Sequence, residues 1–285
     1  MISQNVIYSV LIGIVLTGIV PLIGGIALLA MGKIKGSSFW AGVLAYIIAI
    51  IATGIATLFV TLPTAMSQLD TTSLTAETPL WQTIAVSVIS AVILGFSMLI
   101  LINSCMKTRT FKAAVSAGLG FGIPQLLTIA FGFVGMYMTF SQINSGAFDQ
   151  SYAMLVDMGG MSKEMVAEMK AMYTDLTVND IIAQILSAFG NVLLMAAAAV
   201  VIMLFVTKKK AILGALAVIG GIGVTSIVTS VISDLLIASV IALAIGAAAF
   251  IFAYRMKDGI VPPEKTTAAN DAFMQSIANA QEENK

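Results

Sequence analysis

Six methionines, Met154, Met158, Met161, Met165, Met169 and Met172, recur at intervals of four, three, four, four and three residues. On a single helix this spacing aligns thioethers, the soft donors suited to Cu(I). Gly159 and Gly160 interrupt the run. The simpler expectation is an amphipathic helix over 163–173, with Ser162 as N-cap and Met165, Val166, Met169, Met172 and Tyr173 resting on a bundle or bilayer. Histidine is absent and Cys105 is the only cysteine, which leaves no imidazole ligand, no multi-cysteine metal centre and no internal disulfide. Cys105 lies near a basic loop, a location compatible with palmitoylation, although a buried inert thiol is the plainer reading.

Acid–base chemistry inside a membrane requires ionisable side chains at depth, and these are costly enough to be functional where they occur. Here every long apolar run is free of them. Asp180 and Asp234 fall at run ends, where they are expected to cap helices starting at "DIIAQIL" and "LLIASV". The uncharged polar set comprises Asn103, Gln125, Gln184 and Asn191, with Thr225, Ser226, Thr229, Ser230 and Ser233 on one later run. Such groups commonly hydrogen-bond between membrane helices. No histidine or intramembrane lysine is present to activate a serine as a nucleophile.

The elements that must position these residues follow from composition. The chain has 285 residues, 59% hydrophobic and 10% charged, with a mean hydropathy of +1.02. That cannot describe a soluble domain of this length. A formal net charge of zero provides no basic field for nucleic acid. Charge-free stretches cover 1–32, 36–69, 78–106, 113–148, 181–207, 211–233 and 235–254, each able to supply the roughly 20 apolar residues a spanning helix needs. Backbone groups in hydrocarbon must bond internally, and apolar runs without barrel alternation do so as helices.

The predicted fold is therefore all-α, a polytopic transmembrane bundle over residues 1–257. Its spans are expected at about 6–31, 39–62, 80–106, 111–140, 180–206, 211–233 and 235–256. An extracytoplasmic loop covers 141–179, and a polar cytoplasmic tail covers 258–285, with a weak helix expected around Phe273 and Ile277. No lysine or arginine precedes Lys33, so the first run reads as a retained span rather than a secretory signal. Trp40 and Trp81 suit the headgroup region at the starts of spans two and three. Pro21 and Pro124 lie inside spans one and four and are expected to kink them. Spans six and seven are separated by little more than Ser233 and Asp234, and they either cross fully or dip and return. Their small residues, in "GALAVIGGIGVTS" and "ALAIGAAAF", predict close packing of these two spans.

Twelve of the fourteen lysines and arginines fall on one side of the predicted topology. Lys33, Lys35, Lys107, Arg109, Lys112, Lys208, Lys209, Lys210, Arg255, Lys257, Lys265 and Lys285 fall on one side, and only Lys163 and Lys170 on the other. Asp70, Glu77 and the acid-rich 141–180 segment belong to the second side. The positive-inside rule predicts an N-outside, C-inside arrangement in a bacterial-type cell membrane.

Within span four, "GLGFGIPQLL" (118–127) places three alternate glycines around a phenylalanine, ahead of a proline and a glutamine. This stretch resembles the YhfC family of intramembrane metalloproteases, a remote relative of the CAAX-protease-like membrane group. The resemblance extends to the layout of "IVPLIGGIALLAMGKIKGSSFWAGVLAY", "KTRTFKAAVSAGLGFG" and "AQILSAFGNVLLMAAAAVVIMLFVTKKKAILGALAVIGG", covering about residues 1–256. The family typically shows Glu-Glu-x-x-Arg on one helix and a Gly-His-Gly-Gly-x-Glu-like frame on the next, followed later by another histidine. Laid on that frame, Phe121 takes the histidine place and Gln125 the glutamate place. "ILGFS" (93–97) stands where the acidic motif is expected.

A catalytic zinc typically needs three protein ligands and an activated water. The resemblance therefore implies a non-catalytic relative with no cofactor and no catalytic or metal-ligating residue. Its expected role is a scaffold that binds another membrane-protein helix. The candidate groove comprises Gly118, Gly120, Phe121, Gly122, Pro124, Gln125 and Asn191, helped by small residues of spans six and seven. The alternative is a transporter or permease component using the kinked spans with Asn191 and Gln125. Apart from the lipid bilayer and such a helix no partner is implied, and nucleic acid is excluded. The topology predicts that reporter fusions after Lys210 and within 141–180 give opposite-side signals; same-side signals would refute it.

Overall fold

A computed structural model describes residues 1–68, 79–106, 108–158 and 161–260. Asp70, Glu77, Lys107, Gly159, Gly160 and the tail from 261, including Lys265, Phe273, Ile277 and Lys285, lie outside the described residues. Among those described, the regular structure is helical throughout. The first span combines α1 (Gln4–Ile14), a π-helical turn (Val15–Ile19) and α2 (Val20–Ala30). Then come α3 (Gly36–Gln68), α4 (Leu80–Cys105), α5 (Phe111–Ser145), α6 (Ala147–Asp157), α7 (Lys163–Thr174), α8 (Val178–Thr207), α9 (Ala211–Val231) and α10 (Leu235–Arg255). Seven segments are long and apolar enough to cross a membrane, as in a multi-pass membrane protein.

Local chemistry sets most helix starts. Ser3, Thr110, Ser162 and Asp234 each accept a backbone N–H three residues on, satisfying donors that have no intrahelical partner. Asp180 is not the N-cap of its helix. Thr177 caps α8, and Asp180 is the reciprocal member of a capping box, its Oδ2 accepting the Thr177 N–H at 2.8 Å. The amphipathic helix anticipated at 163–173 forms over Lys163–Thr174 with Ser162 as its cap.

The two prolines expected to kink spans one and four act differently. Pro21 has no N–H to offer the Thr17 carbonyl, and the turn before it widens so that the N–H of Val20 bonds to Val15 O. Pro124 lies within a helix that stays continuous to Ser145, five residues past the boundary expected for span four. The 141–179 segment also holds α6 and α7. They are tied by a Lys170–Asp149 ion pair at 2.7 Å and seated on the N-terminus through Phe140, Phe148, Tyr173 and Ile2. Asn144 Oδ1 accepts the Ile2 N–H at 2.7 Å, closing this far end of the bundle.

The opposite end gathers the basic turns. Lys35 Nζ donates to Thr108, Lys35 N donates to Ser116 Oγ at 2.8 Å, and Phe111 stacks edge-on with Tyr254. After α10 the chain makes a 3-10 turn, Lys257–Gly259, and buries Ile260 against the core.

At the centre stands α8. Seventy-two per cent of its membrane window is buried, against 33% or less for every other span. Around it are α5, α10, α9, α4 and α1, while α3 packs on α4 and α5. The small residues of the last two spans serve contacts with α8 and α4 more than with each other. Gly190 of α8 meets the Ala242 carbonyl of α10, where an added Cβ would sit 2.8 Å away, and Gly246 abuts the backbone of Gly190. In α9, Gly214 faces Phe205 of α8, and Gly223 faces Ala91 of α4. With a three-residue link at one end only, α9 and α10 separate toward the basic end.

Because the Gly190–Gly246 crossing is backbone on backbone, Gly246→Leu is expected to destabilise the protein by about 3 kcal/mol or more. Gly220 has nothing within 4 Å, so Gly220→Leu should change stability by no more than about 0.5 kcal/mol. Thermal unfolding of both variants in detergent checks the contrast.

Candidate functional site

The glycine frame of α5 is filled by neighbouring helices. A Cβ on Gly118 would collide with the Ala196 backbone of α8, and one on Gly122 would lie 2.9 Å from Val192 Cγ1 of the same helix. Gly120 turns the other way, against the Phe39 carbonyl of α3, and Gly42 of α3 abuts the Ala117 carbonyl in return. The frame is thus a double contact that lets α5 lie between α8 and α3. Phe121 between these contacts is 1% exposed, and its ring meets Tyr46 edge-on at 5.4 Å. Pro124 and Gln125 follow, half-buried. Gln125 Oε1 is buried without a hydrogen-bond partner.

Asn191 is placed elsewhere. With Gln184 and Ser187 of α8 and Ser239 of α10 it lines a polar cavity of about 220 Å³, with Ile129 of α5 on the opposite wall. Ser239 Oγ donates to its own helix at Leu235 O, 2.8 Å away. Asn191 is next in the chain to Gly190, where α8 and α10 touch. The structure therefore gives the seven candidate groove residues separate surroundings: glycines in helix contacts, Phe121 in the core, Pro124 and Gln125 beside it and Asn191 in the far-half cavity.

Three hydroxyls of α9 bond within their own helix. Thr225 donates to Gly221 O at 2.8 Å, Thr229 to Thr225 O at 2.9 Å and Ser230 to Ile227 O at 2.9 Å. Back-bonding of this kind satisfies a hydroxyl in lipid without a neighbouring helix. Asn103 and Cys105 are exposed at the basic end, so the thiol is not buried. The six methionines divide between α6, α7 and the link joining them. Met154, Met158 and Met172 are exposed, while Met169 packs into the far-end core. Outside the spans, the Glu164 carboxyl is held below its ordinary range by its own backbone N–H and then by the Ser162 hydroxyl.

The glycine frame offers no donor set for a zinc such as the resembled family would hold. Phe121 has no lone pair to offer, and Gln125 is a neutral amide. Among the described residues no group of three or more His, Cys, Asp or Glu side chains is placed to hold a metal ion.

Three features carry little sequence signal. Gln82, at the start of α4, is buried with Oε1 unpartnered. On α5, Thr128, Gly132, Gly135 and Thr139 follow at intervals of four, three and four, forming a strip along one face. Gly132 and Gly135 have nothing within 4 Å, and Phe131 and Met138 stand exposed beside them. The Tyr46 and Thr128 hydroxyls meet at 2.9 Å at the foot of this strip, joining α3 to α5 in an exposed position. The third feature is an apolar cleft between α9 and α10. The strip's spacing is legible in the sequence, but not that it faces outward.

No protein-family profile, curated protein or solved structure matches the chain.

A buried amide oxygen without a donor costs stability that an apolar side chain of similar size does not. Gln125→Met is accordingly expected to raise stability by about 1 kcal/mol in detergent unfolding. A loss of that size would show that the amide has a partner.

Proposed function

We propose that this multi-pass membrane protein is a non-catalytic relative of the intramembrane metalloproteases it resembles, and that it binds a helix of another membrane protein as a scaffold. The reading is carried by the open strip Thr128–Gly132–Gly135–Thr139 on α5. Lipid tails attract a leucine as well as they attract a glycine, so small residues that meet no neighbour within the chain are suited to close approach by a helix from outside. The exposed Tyr46–Thr128 hydroxyl pair adds a polar contact at the foot of the strip, and Phe131 and Met138 flank it. The glycine frame of the same helix is already taken by α8 and α3. The docking surface therefore lies about two to five turns further along α5 than the frame itself.

Absence of catalysis follows from side-chain chemistry. With Phe121 and Gln125 in the frame, neither a ligand nor a base stands where the family's would. The transport alternative draws on the polar cavity of Gln184, Ser187, Asn191 and Ser239. Its difficulty is that no charged side chain lines the cavity for ion coupling.

A photo-crosslinking residue at Gly132, in native membranes, is expected to give one discrete protein adduct, and the same residue at exposed Ile23 only lipid adducts. Gly135→Leu fills open space and should lower the adduct yield about tenfold while leaving the protein folded. Lipid-only adducts at both positions would overturn the scaffold reading. Stoichiometric zinc in the purified protein, with hydrolysis of a helical substrate, would overturn the non-catalytic one.

A further inference from the structure

The cleft between α9 and α10 has a volume of about 400 Å³, and α8 forms its floor. Leu194 and Phe205 mark its two ends on α8, Gly221 and Ile222 line one wall, and Phe252 and Met256 line the other. Every lining residue is apolar. At the far end the walls are joined by the short link at 232–234, so the cleft opens sideways to the bilayer and toward the basic end. The eleven-residue interval from Leu194 to Phe205 corresponds to about 16 Å of helix. Half of a hydrocarbon core is about 15 Å. The cleft is one leaflet deep.

Its mouth is cationic. Lys208, Lys209 and Lys210 begin three residues after Phe205, and Arg255 and Lys257 bracket Met256. The lysine turn is fixed by its backbone: Lys209 N donates to Val206 O at 3.1 Å and Lys210 N to Phe205 O at 2.8 Å, with Lys209 in the left-handed region at φ 58°. Among the described residues, the side chains of Lys208, Lys209, Lys210 and Arg255 make no hydrogen bond or ion pair. Lys257 Nζ lies over the Tyr254 ring at 4.5 Å, and Asp258 is the carboxylate described at this end.

We infer that this cleft is a binding site for an anionic phospholipid of the leaflet at the basic end. One acyl chain lies between α9 and α10, and the phosphate is held among Lys208–Lys210, Arg255 and Lys257. An acyl chain matches the apolar lining and the one-leaflet depth, and the cations, four of them without a partner among the described residues, match the headgroup. A partner helix fits poorly: it is about 10–12 Å across and must continue through both leaflets, whereas the cleft closes at its far end. This site is separate from the α5 strip, and neither inference depends on the other.

The test measures lipid retention by native mass spectrometry of the full chain released from mixed phosphatidylglycerol–phosphatidylcholine nanodiscs. The wild type should retain phosphatidylglycerol over phosphatidylcholine by about tenfold or more. Replacing the lysine turn (Lys208→Gln, Lys209→Gln, Lys210→Gln) should remove the selectivity, whereas Lys163→Gln with Lys170→Gln at the far end should leave it intact. Gly221 has nothing within 4 Å, so Gly221→Leu occupies the cleft without displacing backbone, and it should abolish retention of either lipid. Equal retention of both lipids by the wild type, selectivity that survives loss of the lysine turn, or unchanged retention by Gly221→Leu would overturn the inference. So would a protein adduct instead of a lipid adduct from a photo-crosslinker at Ile222.

Discussion

Contact between helix backbones, made through glycine, is what the rest of this bundle depends on. Lipid offers no aqueous drive to push apolar helices together, so their association relies on close packing. The chain achieves that at Gly190 with Gly246, at Gly118 and Gly122 with α8, and at Gly120 and Gly42 across the α3–α5 contact. α8 takes part in most of these contacts. Its central run of alanines, Ala196 to Ala199, is buried from all sides. A bulkier helix in that position would hold its neighbours too far apart to touch.

The same constraint shapes what the polar residues do. A hydroxyl in hydrocarbon needs an acceptor, and Thr225, Thr229 and Ser230 of α9 find it in the preceding turn of their own helix. The longer carboxamides cannot. Gln82 and Gln125 each leave an oxygen buried and unpartnered, and Gln184 and Asn191 collect around a cavity in the far half of the bundle. The polar chemistry of this membrane interior is therefore neutral and dispersed.

The two ends differ in construction. The far end is a closed cap, in which α6 and α7 seat aromatic residues on the N-terminus and an ion pair joins the two helices. The basic end is looser: turns after α2, α8 and α10 present cations, and two helices part to leave an apolar cleft beneath them. Charge asymmetry along the bundle thus coincides with an asymmetry of packing.

Seven spans and the caps Ser162 and Asp234 were legible in the sequence, because length, charge and capping chemistry act within a few residues of one another. Ser162 and Asp234 could be assigned from their neighbours alone, whereas the shift of the α8 cap from Asp180 to Thr177 turned on a reciprocal bond three residues long. Partnership between helices was a different matter. Helices that are apolar all round carry no amphipathic stripe to show which face is inside. That Gly118 would meet α8 while Gly132 met no other helix, that α10 would choose α8 over α9, and that Asn191 would stand apart from Gln125 were decided only when the helices packed. The physical reason is that in lipid every apolar face is equally solvated, so shape complementarity between particular surfaces, which exists only in three dimensions, selects the neighbours.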